Sequence, residues 1–182
     1  MNVFVLTTGR SGSLTLSKAL AHATNYTCAH ESRSDCFDGR LDYPDRHIEV
    51  DNRLAFFLGP LHREYPHAHY VWLRRNRNDT VSSLMRRFDS PRGVMAAYAH
   101  GVVQGRKPVS KLSYFERRAV AELYVDTTEA NIETFLEYTG VPNTRMDIEY
   151  AAQQLPGLWA EIGAEGDFAA ACAELSLHHN AS

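Results

Sequence analysis

A loop near the first residue of the chain carries several groups that bind anions. It follows an apolar segment, leads into a pattern of helical spacing, and reads Gly9, Arg10, Ser11, Gly12, Ser13, Leu14 and Thr15. The glycines let the backbone approach a phosphate closely, the hydroxyl groups donate hydrogen bonds, and the arginine supplies positive charge. We therefore predict an anion-binding turn before a helix, with an ordinary tight turn and helix cap as the alternative.

A second segment, YVWLRRNRNDTVSSLMRR at residues 70–87, has the same order of apolar strand, polar turn and helix. Arg75 follows the apolar run and Ser83 lies one or two helical turns later, so a guanidinium and a hydroxyl group can meet on a second phosphate. The alternative is a solvated basic helix face, which suits Arg86 and Arg87 better than Arg75. The net charge of −3 agrees with a local anion site and argues against a general nucleic-acid or membrane surface.

Short apolar segments alternate with helical patterns through the first half of the chain. This order predicts a mainly parallel β-sheet flanked by helices, with strands at residues 3–6, 26–29, 47–50 and 69–73. Helices are predicted at residues 13–23, 53–65 and 78–88, and the second half is expected to be mostly helical, with Asp126 as the cap of a helix that ends at Gly140. Ligands of such sheets bind beyond the carboxyl ends of the strands, where both loops lie.

Together the two segments resemble the nucleotide-binding motifs of sulfotransferases that use 3′-phosphoadenosine 5′-phosphosulfate (PAPS). Residues 9–14 resemble the loop for the 5′-phosphosulfate, and the Arg-Asn-Arg-Asn-Asp run from Arg75, followed by Ser83, resembles the segment for the 3′-phosphate. The resemblance implies a P-loop-like, three-layer α/β/α architecture with PAPS as co-substrate and no metal. It also implies in-line attack on the sulfuryl group by an acceptor hydroxyl or amine.

The chain departs from the family pattern at several positions. Leu14 stands where a hydroxyl residue is usual, and Arg77 stands where a proline is common. Residues 163–168 share only a glycine and a Gly-Asp-Phe run with the C-terminal segment that closes over the nucleotide, and the basic pair of that segment is missing. We therefore expect the closing contacts to come from elsewhere, for instance from Arg106 or Lys107.

The resemblance also implies roles in catalysis. Arg10 stands where the family has a basic residue that neutralises charge on the bridging oxygen. Glu31, after the second predicted strand in AHESR, resembles the base of heparan sulfate sulfotransferases, and His30 is the second candidate for the base. The alternative for Glu31 is a loop carboxylate paired with Arg33.

The end of the third predicted strand, IEVDNR, brings further polar side chains to the same rim. Asp51 or Asn52 is expected to cap the following helix, and Arg53 is placed to bind an acidic acceptor. The loop at residues 32–46 carries charged and aromatic side chains and is a candidate acceptor lid. The acceptor is expected to be a small molecule or a carbohydrate, and a peptide tyrosine also fits.

Composition sets the remaining bounds. A chain of 182 residues with 44% hydrophobic composition is expected to form a single domain, residues 1–182. Three cysteines without metal-type spacing, and no apolar run of about 18 residues, predict a cytoplasmic protein without a metal or membrane partner. Two other function classes stay open. One is a small P-loop phosphotransferase of nucleoside-kinase type, although the lysine of G-x-x-x-x-G-K-[ST] is missing, and the other is a noncatalytic nucleotide-binding module.

Overall fold

The computed structural model describes residues 1–90, 93–103 and 107–177. Among these residues, five parallel strands form one sheet in the order β2-β3-β1-β4-β5. The strands are β1 (Val3–Leu6), β2 (Thr27–His30), β3 (His47–Val50), β4 (His69–Arg74) and β5 (Asn143–Asp147). Because all strands point the same way, the chain leaves every one of them at the same edge of the sheet.

Helices cover both faces of the sheet. They are α1 (Ser13–Leu20), α2 (Leu58–Glu64), α3 (Arg77–Arg86), α4 (Val94–Ala97), α5 (Tyr114–Thr139), α6 (Ala151–Glu161) and α7 (Phe168–Leu175). Shorter helical turns lie at Asn52–Phe56, Tyr98–Val102, Val109–Lys111 and Ile148–Tyr150. The helix predicted at residues 53–65 is therefore two elements, a 3₁₀ turn and α2, separated at Phe57. Across the described ranges, no helix is both long enough and apolar enough to cross a membrane.

The side chains of β1 alternate between two cores, as a central parallel strand requires. Val3 and Val5 pack with α1, α6 and α7, whereas Phe4 and Leu6 pack with α2 and the C-terminal part of α5. All four side chains are fully buried. A third apolar cluster joins α3, α4 and the middle of α5. The predicted parallel α/β fold with helices on both faces is thus confirmed.

Two features of the second half differ from the sequence-based expectation. The strand β5 was not predicted, because its sequence NTRMD is mostly polar and reads as a loop. Asp126 does not begin a helix, since α5 already starts after Ser113, whose side chain forms a capping box with Glu116. Asp126 instead lies inside α5 and accepts hydrogen bonds of 2.7 and 2.8 Å from Arg77.

The Gly-Asp-Phe run near the C-terminus has a structural role in this fold. Gly166 has a φ of 138° and forms a bridge with Ala23, just after α1. A Cβ atom at this position would lie 2.2 Å from the carbonyl oxygen of His22. The side chain of Asp167 accepts a hydrogen bond of 2.9 Å from the backbone N–H of Ala170 and so caps α7. The run therefore holds α7 against α1.

Replacing Gly166 by alanine is expected to destabilise the protein. The new methyl group would meet a backbone carbonyl, and the φ angle is one that side chains disfavour, so we expect a loss of about 2 kcal/mol or more in the free energy of unfolding. The control is Gly157→Ala, because Gly157 lies exposed in α6 with open space around its Cα, and this change should stabilise by about 0.5–1 kcal/mol. Urea denaturation measures both, and an unchanged Gly166→Ala protein would contradict the tight packing.

Candidate functional site

An open cleft of about 670 Å³ lies at the carboxyl edge of the sheet. Residues that follow all five strands line it, which is the placement expected for a ligand site of a parallel sheet. The loop after β1 contributes Gly9, Arg10 and residues 12–15, and the end of β2 contributes His30 and Glu31. Asn52 and Arg53 follow β3, Arg75 and Ser83 follow β4, and Ile148 and Glu149 follow β5. The cleft therefore contains residues from both of the predicted anion-binding segments.

The loop after β1 has a backbone conformation that favours glycine. The φ angles of Gly9, Arg10 and Gly12 are 76°, 58° and 80°, all in the left-handed region. At Gly12, a Cβ atom would lie 2.5 Å from Cγ1 of Ile148, so a side chain here would have to displace Ile148 and would also strain the left-handed backbone. The loop thus passes close to the exit of β5 and turns directly into α1.

A hydrogen bond joins the two predicted segments across the cleft. Arg10 Nε donates to Ser83 Oγ at 3.0 Å, so the loop after β1 contacts the first turns of α3. Arg75 Nη1 donates to the carbonyl oxygen of Arg10 at 3.0 Å. The structure therefore brings Arg10, Arg75 and Ser83 into one place, although 73 residues separate Arg10 from Ser83 in the sequence.

Positive charge exceeds negative charge along the walls of the cleft. Among the described residues, five arginines and three carboxylates line it: Arg10, Arg53, Arg75, Arg86 and Arg87, with Glu31, Asp79 and Glu149. Burial, and then the charges of Arg87, Arg86 and Arg75, lowers the pKa of the Arg10 guanidinium. An anion bound between these arginines would relieve their mutual repulsion, and the cleft is therefore suited to an anionic ligand.

The hydroxyl groups of the loop do not all face the cleft. Ser13 Oγ lies 3.0 Å from Nε2 of His30, so the first turn of α1 and the end of β2 meet at the cleft. Ser11 is fully buried, and its hydroxyl group is hydrogen-bonded to that of Thr7. The Ser11 side chain thus stabilises the loop from within, whereas Leu14 and Thr15 line the cleft with Ser13.

The candidate base Glu31 is held in an unusual conformation. Its φ is 52°, which is rare for a residue with a side chain. Its Oε2 lies 3.5 Å from Nη1 of Arg53, so its ion pair is with Arg53 and not with Arg33 as the alternative reading had it. Glu31, Arg53 and His30 all line the cleft.

Two neighbouring residues after β3 have different roles: Asp51 is structural, and Asn52 lines the cleft. Asp51 is fully buried, accepts a 2.7 Å hydrogen bond from the backbone N–H of Arg53, and is ion-paired with Arg40. It therefore caps the 3₁₀ turn, as the sequence predicted. Asn52 lies against Gly9 at the wall of the cleft, and its buried Oδ1 has no hydrogen-bond partner among the described residues.

The turn after β4 is braced by residues that the sequence did not single out. Asn76 caps α3 with its side chain, and its backbone N–H donates to Glu149 at 2.9 Å. Arg77, which stands where the family often has proline, points to Asp126 of α5. Glu149 was missed because β5 was missed; its position after a strand is the signal that would have indicated it.

The suggested closing contacts lie elsewhere or beyond the described residues. Arg106 is outside the described part of the chain. Lys107 forms an exposed ion pair of 2.6 Å with Glu116 and does not line the cleft. The C-terminal part of the chain reaches the cleft instead through Leu175 and Leu177. In the described part of the chain, no group of three or more His, Cys, Asp or Glu residues could hold a metal ion.

Comparison with known proteins finds this fold in solved structures. No family model matches the chain, and no curated protein matches it either. A sulfotransferase from Alicyclobacillus acidocaldarius matches with a TM-score of 0.58 and 16% identity, over 96% of this chain and 94% of that one. Mouse sulfotransferase SULT7A1, complexed with PAP, matches with a TM-score of 0.57 and 14% identity, over 96% of this chain but only 63% of the mouse chain. The chain therefore has the α/β fold of the sulfotransferases.

Proposed function

We propose that the protein is a sulfotransferase that moves the sulfuryl group of PAPS to a hydroxyl or amine of an acceptor. The observation that carries this proposal is the 3.0 Å hydrogen bond from Arg10 to Ser83, because it puts both candidate phosphate-binding segments on one cleft. The fold and the PAP in the mouse sulfotransferase, whose chain is longer, support the same ligand class. PAP is the bisphosphate that remains when PAPS has lost its sulfuryl group.

The residues of the cleft fit a nucleotide with two separate anionic ends. The left-handed turn at Gly9 to Gly12 and the first turn of α1 suit the phosphosulfate, since backbone N–H groups and the hydroxyl group of Ser13 can donate to its oxygens. Arg75 and Ser83 suit the 3′-phosphate. Arg10 lies between these groups and is surrounded by further arginines, so a bound polyanion gains from all of them.

The proposed chemistry needs positioning, charge stabilisation and a base. PAPS supplies the activated sulfuryl group and the leaving bisphosphate. The acceptor oxygen or nitrogen forms a bond to sulfur while the bond from sulfur to the phosphate oxygen breaks, and the acceptor proton passes to the protein. Arg10 offsets the charge that develops on the leaving oxygen. Glu31 is the proposed base, and His30, which contacts Ser13, is the second candidate.

Binding and turnover together test the proposal. Adenosine 3′,5′-bisphosphate should raise the melting temperature without Mg²⁺, and radiolabelled PAPS should transfer its label to at least one member of a panel of alcohols, phenols, amines and carbohydrates. Stabilisation by ATP only in the presence of Mg²⁺ would instead support a phosphotransferase. Bisphosphate binding without transfer to any acceptor would support a noncatalytic nucleotide-binding module.

Removing the guanidinium of Arg75 should weaken nucleotide binding. Arg75→Ala loses a charged hydrogen bond, so we expect the binding free energy of adenosine 3′,5′-bisphosphate to weaken by about 1.5–3 kcal/mol, and its dissociation constant therefore to rise roughly ten- to 150-fold. Isothermal titration calorimetry measures it. The matched control is Arg63→Ala, which removes the same charge from the exposed face of α2, outside the cleft. Wild-type affinity of Arg75→Ala would remove this residue from the site.

Neutralising the proposed base should reduce turnover and leave nucleotide binding intact. We expect Glu31→Gln to lower kcat by roughly a hundredfold or more, because the amide cannot take the acceptor proton, while the affinity for the bisphosphate changes little. Single-turnover transfer from PAPS and calorimetry measure the two quantities. His30→Gln is the parallel variant. A large loss of kcat in His30→Gln with normal turnover in Glu31→Gln would assign the base to His30.

A further inference from the structure

A buried carboxylate on β3 contacts the chain just after the end of β2. Glu49 of β3 is fully buried, on the face of the sheet opposite to Ile48 and Val50. It accepts hydrogen bonds from the backbone N–H of Ser32 at 2.9 Å, from Ser32 Oγ at 2.5 Å and from Nε2 of His47 at 3.0 Å. An unpaired carboxylate in such a place would be costly, so this donor set shows that the site is built to hold its charge.

The protonation of Glu49 agrees with this geometry. Burial by itself would raise the pKa of the carboxyl group, but the hydrogen bonds from His47 and Ser32 outweigh burial, so the pKa of Glu49 lies below its ordinary value. The other ring nitrogen of His47 lies 2.8 Å from the hydroxyl group of Thr27, which fixes the imidazole. Glu49 is therefore an anionic acceptor with a rigid set of partners.

The hydrogen bonds of β3 hold the chain on both sides of Glu31. The backbone N–H of Glu31 donates to the carbonyl oxygen of Val50 at 3.0 Å, and the next residue, Ser32, is bound to Glu49 through two groups. Between these attachments Glu31 has its left-handed φ of 52°, a conformation that costs about 1–2 kcal/mol and persists only where the surroundings impose it. A change of φ at this residue would turn its Cα–Cβ bond away from the present direction, in which the side chain lines the cleft.

The loop at residues 32–46 belongs to the same supporting structure. None of its residues lines the cleft, although the sequence made it a candidate acceptor lid. It is held to the sheet through Ser32 and again through Arg40, which is ion-paired with Asp51 and donates a 3.0 Å hydrogen bond to the hydroxyl group of Tyr43. The loop therefore supports the exits of β2 and β3 through Glu49 and Asp51, without lining the cleft itself.

We infer that Glu49 is a positioning residue, which holds Glu31 in the cleft through Ser32 and never contacts the substrate itself. This inference rests on the proposed function, because it assigns Glu49 a part in presenting the base. A purely structural Glu49 would affect stability and all ligand contacts alike. A positioning Glu49 affects the proton-transfer step and acts only through Glu31.

Two variants and a double-mutant cycle separate these roles. Glu49→Gln keeps the shape but replaces one of the two accepting oxygens by an NH₂ donor, so it cannot accept all three hydrogen bonds from Ser32 and His47. Ser32→Ala removes only the hydroxyl donor. We expect both to keep the dissociation constant for adenosine 3′,5′-bisphosphate within about twofold and to lower kcat for sulfuryl transfer, by roughly tenfold or more in Glu49→Gln. In Glu31→Gln, the added Glu49→Gln change should cost little further kcat, because the residue that it positions is gone. Glu64→Gln, an exposed change in α2, is the control.

A crystal structure of Glu49→Gln gives a second readout, which does not depend on turnover. We expect residue 31 to leave the left-handed region and the contact between Glu31 and Arg53 to be lost. An unchanged residue 31, an unchanged kcat, or losses that simply add in the double variant would overturn the positioning role. Absence of bisphosphate binding by the wild-type protein would overturn the proposed function itself, and the conformation of residue 31 in the variant would still decide whether Glu49 holds it.

Discussion

The contact between the Arg10 guanidinium and the Ser83 hydroxyl group is the interaction around which the candidate site is arranged. It exists because β1 and β4 are neighbouring parallel strands, so that the chain leaves both at the same edge of the sheet. The same constraint places the exits of β2, β3 and β5 around the cleft. In the order β1 to β5, these exits supply a glycine-rich turn, the acid Glu31, the amide of Asn52, the guanidinium of Arg75 and the carboxylate of Glu149.

The local chemistry of the two loops and their shared position at one edge of the sheet could be predicted from the sequence, whereas the hydrogen bond between Arg10 and Ser83 could not be. Glycine at left-handed positions and an arginine after an apolar strand are signals within a few residues. By contrast, β5 is an edge strand of polar residues that pairs only with the distant β4, so its local sequence does not indicate it. The start of α5 does have a local signal, the capping box of Ser113 and Glu116, which the prediction of Asp126 as the cap overlooked.

The burial of the polar side chains in and just after β3 is a second feature that the local sequence does not indicate. His47 and Glu49 of β3, and Asp51 directly after it, alternate with apolar residues, yet all three are buried. The loop at residues 32–46 covers them, and their partners come from that loop and from β2. Buried polar groups of this kind are tolerated when each has hydrogen-bond partners, and here these hydrogen bonds fix the ends of β2 and β3 beside the cleft.

The proposed function requires one cleft to bind two phosphates of one nucleotide through two separate strand exits. Isothermal titration without Mg²⁺ tests it directly when adenosine 3′,5′-bisphosphate is compared with adenosine 5′-monophosphate and adenosine 3′-monophosphate. We expect each monophosphate to bind roughly tenfold or more weakly than the bisphosphate, because each lacks one set of charged hydrogen bonds. Equal affinity for the bisphosphate and either monophosphate would contradict it.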